Sequence, residues 1–306
     1  SKIDRKGRLI DLEAAEIRPK KLRAKRHKRV NRSLAGDIAV FTTITLLGIF
    51  IALPLVYAIG NAFKPLDELW IFPPPLFPRN PTFKNFIDLF VLLQNSWVPL
   101  SRYFFNTLFI TAVGTFGQLV LASMCAYPLA KHPFPGAKWI FQLIILSLMF
   151  NATVTAIPNF LIMSGLGWVD TYKAIIVPAM GSTLGLFLIK QFMEQLPDEL
   201  LEAAKIDGAG EMRIFWTIVM PNIKPAWLTL MVFSVQQLWN MGSSVFIYSE
   251  QLKTLSYAIN QIVAGGIARA GVGSAVIVVM MIVPIVVFIF TQSNIIETMA
   301  SSGLKD

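Results

Sequence analysis

The sequence predicts an all-α polytopic membrane protein with six transmembrane helices. Three observations carry that prediction. Hydrophobic residues make up 55% of the chain and charged residues only 15%, whereas a soluble domain carries charge on about a quarter of its residues. Six apolar runs approach or exceed the roughly 20 residues that cross a bilayer as a helix: 38–63, 106–130, 139–164, 174–189, 226–248 and 273–293. None of the six contains Asp, Glu, Lys, Arg or His.

Residues 1–37 form a basic tail ahead of the first run. Thirteen of the 27 Lys and Arg residues lie in 1–36, with a dense cluster between Lys20 and Arg29. Alternating the loops between two sides leaves 20 basic residues on the side of this tail and seven on the other, which places the tail in the cytoplasm. An even number of spans brings the C-terminal tail, 294–306, to the same side. The cluster before the first span suits anionic lipid head groups, so the net charge of +9 calls for no nucleic-acid partner. The first run is too long for a cleaved signal peptide and reads as an anchor.

The segment 64–103 follows, with five prolines between Pro73 and Pro81. Pro fixes φ and removes a donor, which excludes regular helix there. The second run holds the only cysteine, Cys125; one thiol builds neither a disulfide nor a metal site, and it reads as a small buried hydrophobe. His27 and His132 are far apart and suggest no metal or catalytic role. The fourth run is the shortest and the least securely bounded.

Between the fourth and fifth runs lies a polar stretch, 197–221. Pro197 and Asp198 offer a helix start, Glu199 and Glu202 sit where the helix dipole favours acid, and Gly208 offers a stop, which makes a helix of about three turns. Leu201, Ala204 and Gly208 recur at i, i+3 and i+7, giving a face that another backbone can approach closely. A second helix is expected from Met212 to Met220, ending at Pro221. The fifth run then brings Gln236, Gln237 and Asn240 to membrane depth, where amides need partners or water, beside Trp239, an aromatic face of the kind on which sugar rings stack. Two readings stand: these residues join helices, or they line a path. The glycines at 265, 266, 271 and 273 allow the 250–272 loop a flexible or re-entrant course.

The uncharged spans argue against a proton- or voltage-driven machine. No Ser, His and Asp set and no acid pair converges, and no Gly-rich phosphate loop with a following Lys is present. If this chain moves a solute uphill, the energy comes from another chain.

The segment Glu202, Ala203, Ala204, Gly208, Ile218 and Pro221 resembles the "EAA loop" of the membrane-spanning subunits of bacterial ABC importers: EAA, three residues, Gly, nine residues, then Ile-x-Leu-Pro. The one departure is Met220 for Leu, which conserves volume. Further likeness at 80–86 (NPTFKNF), Asn106 and Thr107, 126–138 (AYPLAKHPFPGAK) and 166–172 (LGWVDTY) extends the resemblance over about 46–292 and narrows it to the carbohydrate-uptake, maltose-type branch. The resemblance implies the type I importer fold in a bacterial cytoplasmic membrane. It implies that the first helix of 197–221 is a coupling helix docking on a cytoplasmic ATPase, with Glu202, Ala203, Ala204, Asp207, Gly208, Ile218 and Pro221 at that contact. Gln236, Gln237, Trp239 and Asn240 become candidates for the substrate path. The chain would have no catalytic residue, metal or cofactor of its own, ATP and Mg residing on partners. Those partners would be a second homologous permease, two ATP-binding cassette subunits, an extracytoplasmic solute-binding protein and a sugar substrate. The proline-rich segment is then either a spacer or part of a receptor docking surface. The 250–272 loop is either a connector or an element reaching into the receptor's cleft, and the C-terminal tail is short enough to tuck against the ATPase dimer. An importer permease for peptides or polyamines, or a self-sufficient channel, are the alternatives.

Overall fold

The computed structural model describes residues 34–94, 98–150, 152–242, 244–266 and 269–302. The basic tail up to residue 33, with its expected role in topology, lies outside them. All regular structure among the described residues is helical. The chain divides into two units at Ala52 and Leu53. The described part of the first is the opening of helix α1 (Leu34–Ala62), in which the apolar side chains of residues 35–52 are exposed.

The second unit is organised around one long helix. After the last turns of α1 come α2 (Leu66–Leu69), α3 (Lys84–Gln94) and then α4 (Leu100–Lys131), which at 1.5 Å per residue is about 48 Å long. It begins six residues before the predicted span because Pro99, extended at φ −59° and ψ 142°, starts it. One stripe of α4 carries Gly114, Gln118, Ala122 and Ala126, all buried. Small residues at four-residue spacing are how helices approach in lipid, where burial of apolar surface gives no driving force. The chain continues through α5 (Ala137–Ser147), α6 (Ala152–Gly165), α7 (Lys173–Met180) and α8 (Thr183–Glu194). Next come α9 (Asp198–Ile206), α10 (Glu211–Ile214), a π-helical turn (Phe215–Val219), α11 (Met220–Asn222) and α12 (Lys224–Trp239), and finally α13 (Leu255–Val263) and α14 (Ala270–Ser302). A Cβ on Gly114 would stand 2.7 Å from Leu238 of α12, and one on Gly185 of α8 3.0 Å from Leu230. Ser234 donates to Thr115 Oγ1 at 3.0 Å.

The all-helical membrane class stands, and several details differ from expectation. Among the described residues, four helices are long and apolar enough by length and composition to cross a membrane: 35–62, Leu100–Lys131, Lys173–Glu194 and 270–292. A fifth results if 211–222 and Lys224–Trp239, bent by 78°, count as one. The third predicted run is divided into α5 and α6, of 11 and 14 residues. At the division the Ser147 hydroxyl takes the Ile144 carbonyl and the chain tightens into turns at Leu148, Met149 and Phe150. The fourth run bends at Gly181 and restarts at Ser182, whose hydroxyl caps α8. The fifth ends at Trp239 rather than residue 248. Cys125 is exposed rather than buried, because the packed stripe of α4 runs through Ala122 and Ala126. The expected C-terminal tail remains helical in its backbone to Ser302.

The two loops are also more ordered than the sequence suggested. In 64–85 the buried Lys64 ammonium donates to Asn61 Oδ1 at 2.6 Å and to the Pro75 carbonyl. The buried Glu68 carboxylate accepts the Arg79 and Asn80 amides, and Asn85 donates to the Ala62 and Lys64 carbonyls. Buried charge without such partners would be strongly unfavourable, so these contacts pin the proline-rich path. In 250–272, Leu255, Ala258, Ile259 and Ile262 make a buried helical stripe, the i, i+3, i+4, i+7 pattern of an amphipathic helix. Gly265 and Gly266 lie in the turn after α13, where Gly266 has φ +88°, and Gly271 and Gly273 lie within α14.

Candidate functional site

The 197–221 stretch forms a helix, an elbow and a second helix. Pro197 stands extended before α9, and Asp198 and Glu199 occupy its first turn. The end is a left-handed turn: Gly208 has φ +78°, its amide donates to the Lys205 carbonyl, and the Ala209 amide donates to the Ala204 carbonyl, both at 3.0 Å. Only Gly enters this region without strain. The second helix runs 211–222 with one widened turn, in which the Met220 amide reaches the Phe215 carbonyl. Pro221 has no amide to donate, so the α-helical pattern is already broken beside that turn. Trp227 Nε1 donates to the Met220 carbonyl at 3.1 Å and fixes the exit.

The predicted residues separate by face. Leu201 and Ala204 are buried and pack in a core with Ile214, Phe215 and Val219, so the backbone that approaches Ala204 is the chain's own second helix. Ile218 is half-buried against the same core. Glu202, Ala203, Asp207, Gly208 and Pro221 are exposed. The sequence reading missed the two apolar knobs on that outer face, Ile206 at 86% and Leu200 at 46% exposure.

It also missed the residues that fasten the elbow to α4. Lys131, its side chain 4% exposed, ion-pairs with Asp198 at 2.7 Å and donates to the Leu196 carbonyl at 2.5 Å. Glu211 makes three contacts that tie its own helix to α9 and to the end of α4: Lys205 at 2.8 Å, the Tyr127 hydroxyl at 2.9 Å and His132 Nε2 at 3.3 Å. The Lys205 hydrogen bond, opposed by desolvation and helped by Tyr127, holds the Glu211 carboxyl below the usual carboxylate range. An acid in the first turn of a helix just after a Gly elbow was the available signal, but its partners at the end of α4 are remote in sequence.

At the opposite end of α4 a second network ties down the segment between α12 and α13. Asn106 donates to the Gln251 and Lys253 carbonyls, both at 2.8 Å, and accepts the Tyr172 hydroxyl at 2.7 Å. Thr107 accepts the Leu255 amide at 2.8 Å. Asp170, at φ +62°, accepts the Tyr248 and Ser249 amides and the Ser249 hydroxyl. Those bonds, led by the Ser249 hydroxyl, hold its carboxyl below the usual range.

Of the path candidates, Gln236, Gln237 and Asn240 are exposed. Gln236 lines a cavity of about 230 Å³ between α12 and α14, with Val232, Pro284 and Phe288. Trp239 is 1% exposed. Its indole N–H donates to the Met280 carbonyl at 3.1 Å and its ring meets Phe104 edge-on, so in this conformation it joins helices and has no free face for a sugar.

Residues 37–299 match the family described as "Binding-protein-dependent transport system inner membrane component". Protein LplC of Bacillus subtilis is 35% identical over 66% of this chain and 66% of its own length, so the chain spans just under two thirds of that relative. The arabinooligosaccharides transport system permease protein AraQ of Halalkalibacterium halodurans is 31% identical over 87% of this chain and 94% of its own. Among solved structures, a chain of a bacterial ABC transporter involved in the import of the acidic polysaccharide alginate superposes with a TM-score of 0.71 at 24% identity, covering 86% of this chain and 98% of that one.

Proposed function

The chain belongs to the family of binding-protein-dependent transport system inner membrane components, and from that premise we propose that it is one permease subunit of an ATP-driven importer for a sugar or oligosaccharide. The observation that carries this reading is the outer face of α9, where Ile206 and Leu200 stand exposed among Glu199, Glu202 and Asp207. Apolar side chains exposed beside charged ones suit a protein contact, and here they belong to a helix too short to be stable alone. The partner at this face is an ATP-binding subunit, which holds ATP and Mg. A second, homologous permease completes the path, and an extracytoplasmic receptor delivers the solute. Both termini and the elbow lie on the cytoplasmic side, as the distribution of Lys and Arg suggests.

The mechanism is alternating access. Closure of the ATPase dimer on ATP displaces α9, and the displacement passes to α4 through the Lys131 ion pair and the three-way junction at Glu211. The far end of α4 carries Asn106 and Thr107, which release or secure the 246–255 segment as α4 shifts. The uncharged spans and the exposed amides of Gln236, Gln237 and Asn240 suit a hydroxyl-rich cargo, and the arabinooligosaccharide relative supports that class.

The test is purification of the tagged chain in mild detergent from its own membrane, followed by reconstitution. Co-purification of an ATP-binding subunit and a second permease, with sugar uptake that requires ATP and receptor, is the expected result. Solute flux by the chain alone, without ATP, overturns it. Uptake of peptides or polyamines but no sugar from a panel overturns the cargo assignment alone.

A further inference from the structure

The segment 70–78 reads Trp-Ile-Phe-Pro-Pro-Pro-Leu-Phe-Pro and contains no side chain able to form a strong hydrogen bond except the indole of Trp70. Four of its nine residues are proline, so almost half of its backbone lacks a donor. Its apolar side chains nevertheless point out of the protein: Phe72 is 92% exposed, Phe77 69%, Trp70 57% and Leu76 47%. A contiguous exposed apolar patch of this kind marks an interaction surface.

The backbone contacts fix where the patch sits. The Leu76 carbonyl packs against Gly60, where an added Cβ would be 2.5 Å away. The Pro75 carbonyl accepts from Lys64, and the Thr82 amide donates to the Phe63 carbonyl at 2.8 Å. Gly60 lies in α1, within the predicted first span. The segment therefore folds back to the level of the last turn of a membrane-crossing helix instead of standing clear of it.

We propose that residues 70–77 are an interfacial anchor, with Trp70, Phe72, Leu76 and Phe77 seated at the boundary of lipid head groups and acyl chains beside the end of α1. Three features favour lipid over a docked receptor. The level is that of the bilayer edge, where amphipathic aromatics concentrate. The few N–H groups lower the cost of leaving water, whereas a protein contact of this size would need its own hydrogen bonds for register. Arg79, exposed at the edge of the patch, can meet a lipid phosphate while its amide stays on Glu68. Buried Lys64 and Glu68 hold the backbone from within, so the aromatics are presented on a rigid mount. The proposal rests on the membrane reading alone and is independent of what the path carries.

The experiment uses the whole importer in nanodiscs of phosphatidylcholine and phosphatidylglycerol. Nitroxides are attached at Phe72→Cys and Phe77→Cys in a Cys125→Ser background, with Asn80→Cys as a reference. Collisions with oxygen, which partitions into lipid, are compared with those of a water-soluble nickel chelate. Oxygen is expected to dominate at 72 and 77 and the chelate at 80, with no change when receptor is added. Dominance of the chelate at 72 and 77, or protection only with receptor, overturns the anchor in favour of a docking surface. Shielding from both agents without receptor overturns it in favour of a contact between subunits. In the unlabelled importer, brominated lipid is expected to quench a fluorescence component that Trp70→Phe removes; equal quenching in both contradicts the placement.

Discussion

Gly208 is where the elbow after α9 is most sensitive to a single atom. Its φ is +78°, and a Cβ built there meets nothing within 4 Å. Gly208→Ala therefore adds no clash, and its cost is backbone strain alone, about 1–2 kcal/mol. That energy corresponds to a loss of about 5- to 30-fold in the native elbow relative to alternative turns. Gly208→Asn, whose side chain tolerates the left-handed region, is expected to lose much less. The assay is receptor- and ATP-dependent uptake by the reconstituted importer, normalised to the amount of chain in the membrane. The Ala variant should insert normally and lose uptake within that range, and the Asn variant should fall between it and the parent. Full uptake with Ala, or Asn no better than Ala, would refute the requirement for a left-handed residue at the elbow.

Four further outcomes are expected. The Glu211 carboxyl is held below its ordinary value, so its contribution to the elbow is complete above the usual carboxylate range and is lost as pH falls through the lowered value; thermal melting should show an acid-side loss that Glu211→Gln lacks. Asp170 obeys the same sign, and Asp170→Asn should speed hydrogen exchange at the Tyr248 and Ser249 amides near neutral pH, where the parent protects them. Trp239→Phe, which leaves the Met280 carbonyl without its donor, should cost about 0.5–1.5 kcal/mol of stability with sugar affinity unchanged. By contrast, alanine at both Gln236 and Gln237 should reduce substrate-stimulated uptake, and unchanged uptake would remove them from the path.

What could be read in the sequence was local. The bounds of α9, the Gly208 stop and the proline-rich path follow from residues within a turn or two of each other. Trp239 illustrates the limit: its composition suits both a sugar platform and an interhelical contact, and only the position of the Met280 carbonyl, 41 residues on, decides. Ala204 was assigned to an external contact because periodicity identifies a close-packed face without naming its occupant. Nothing local singles out Glu211, since Tyr127 and His132 reach it across some 80 residues. Cys125 and Ala126 are neighbours in sequence, and in lipid both faces of a helix tolerate apolar residues, so hydropathy could not tell inward from outward.

One consequence of α4 remains. One end is gripped by Asp198 and Glu211 and its other end grips residues 251–255, with a continuous rod of 32 residues between them. A rod held at both ends has no slack, so under the proposed alternating access the two ends of the pathway change state together, and a solute leak with both ends open is opposed by the same helix that carries the stroke.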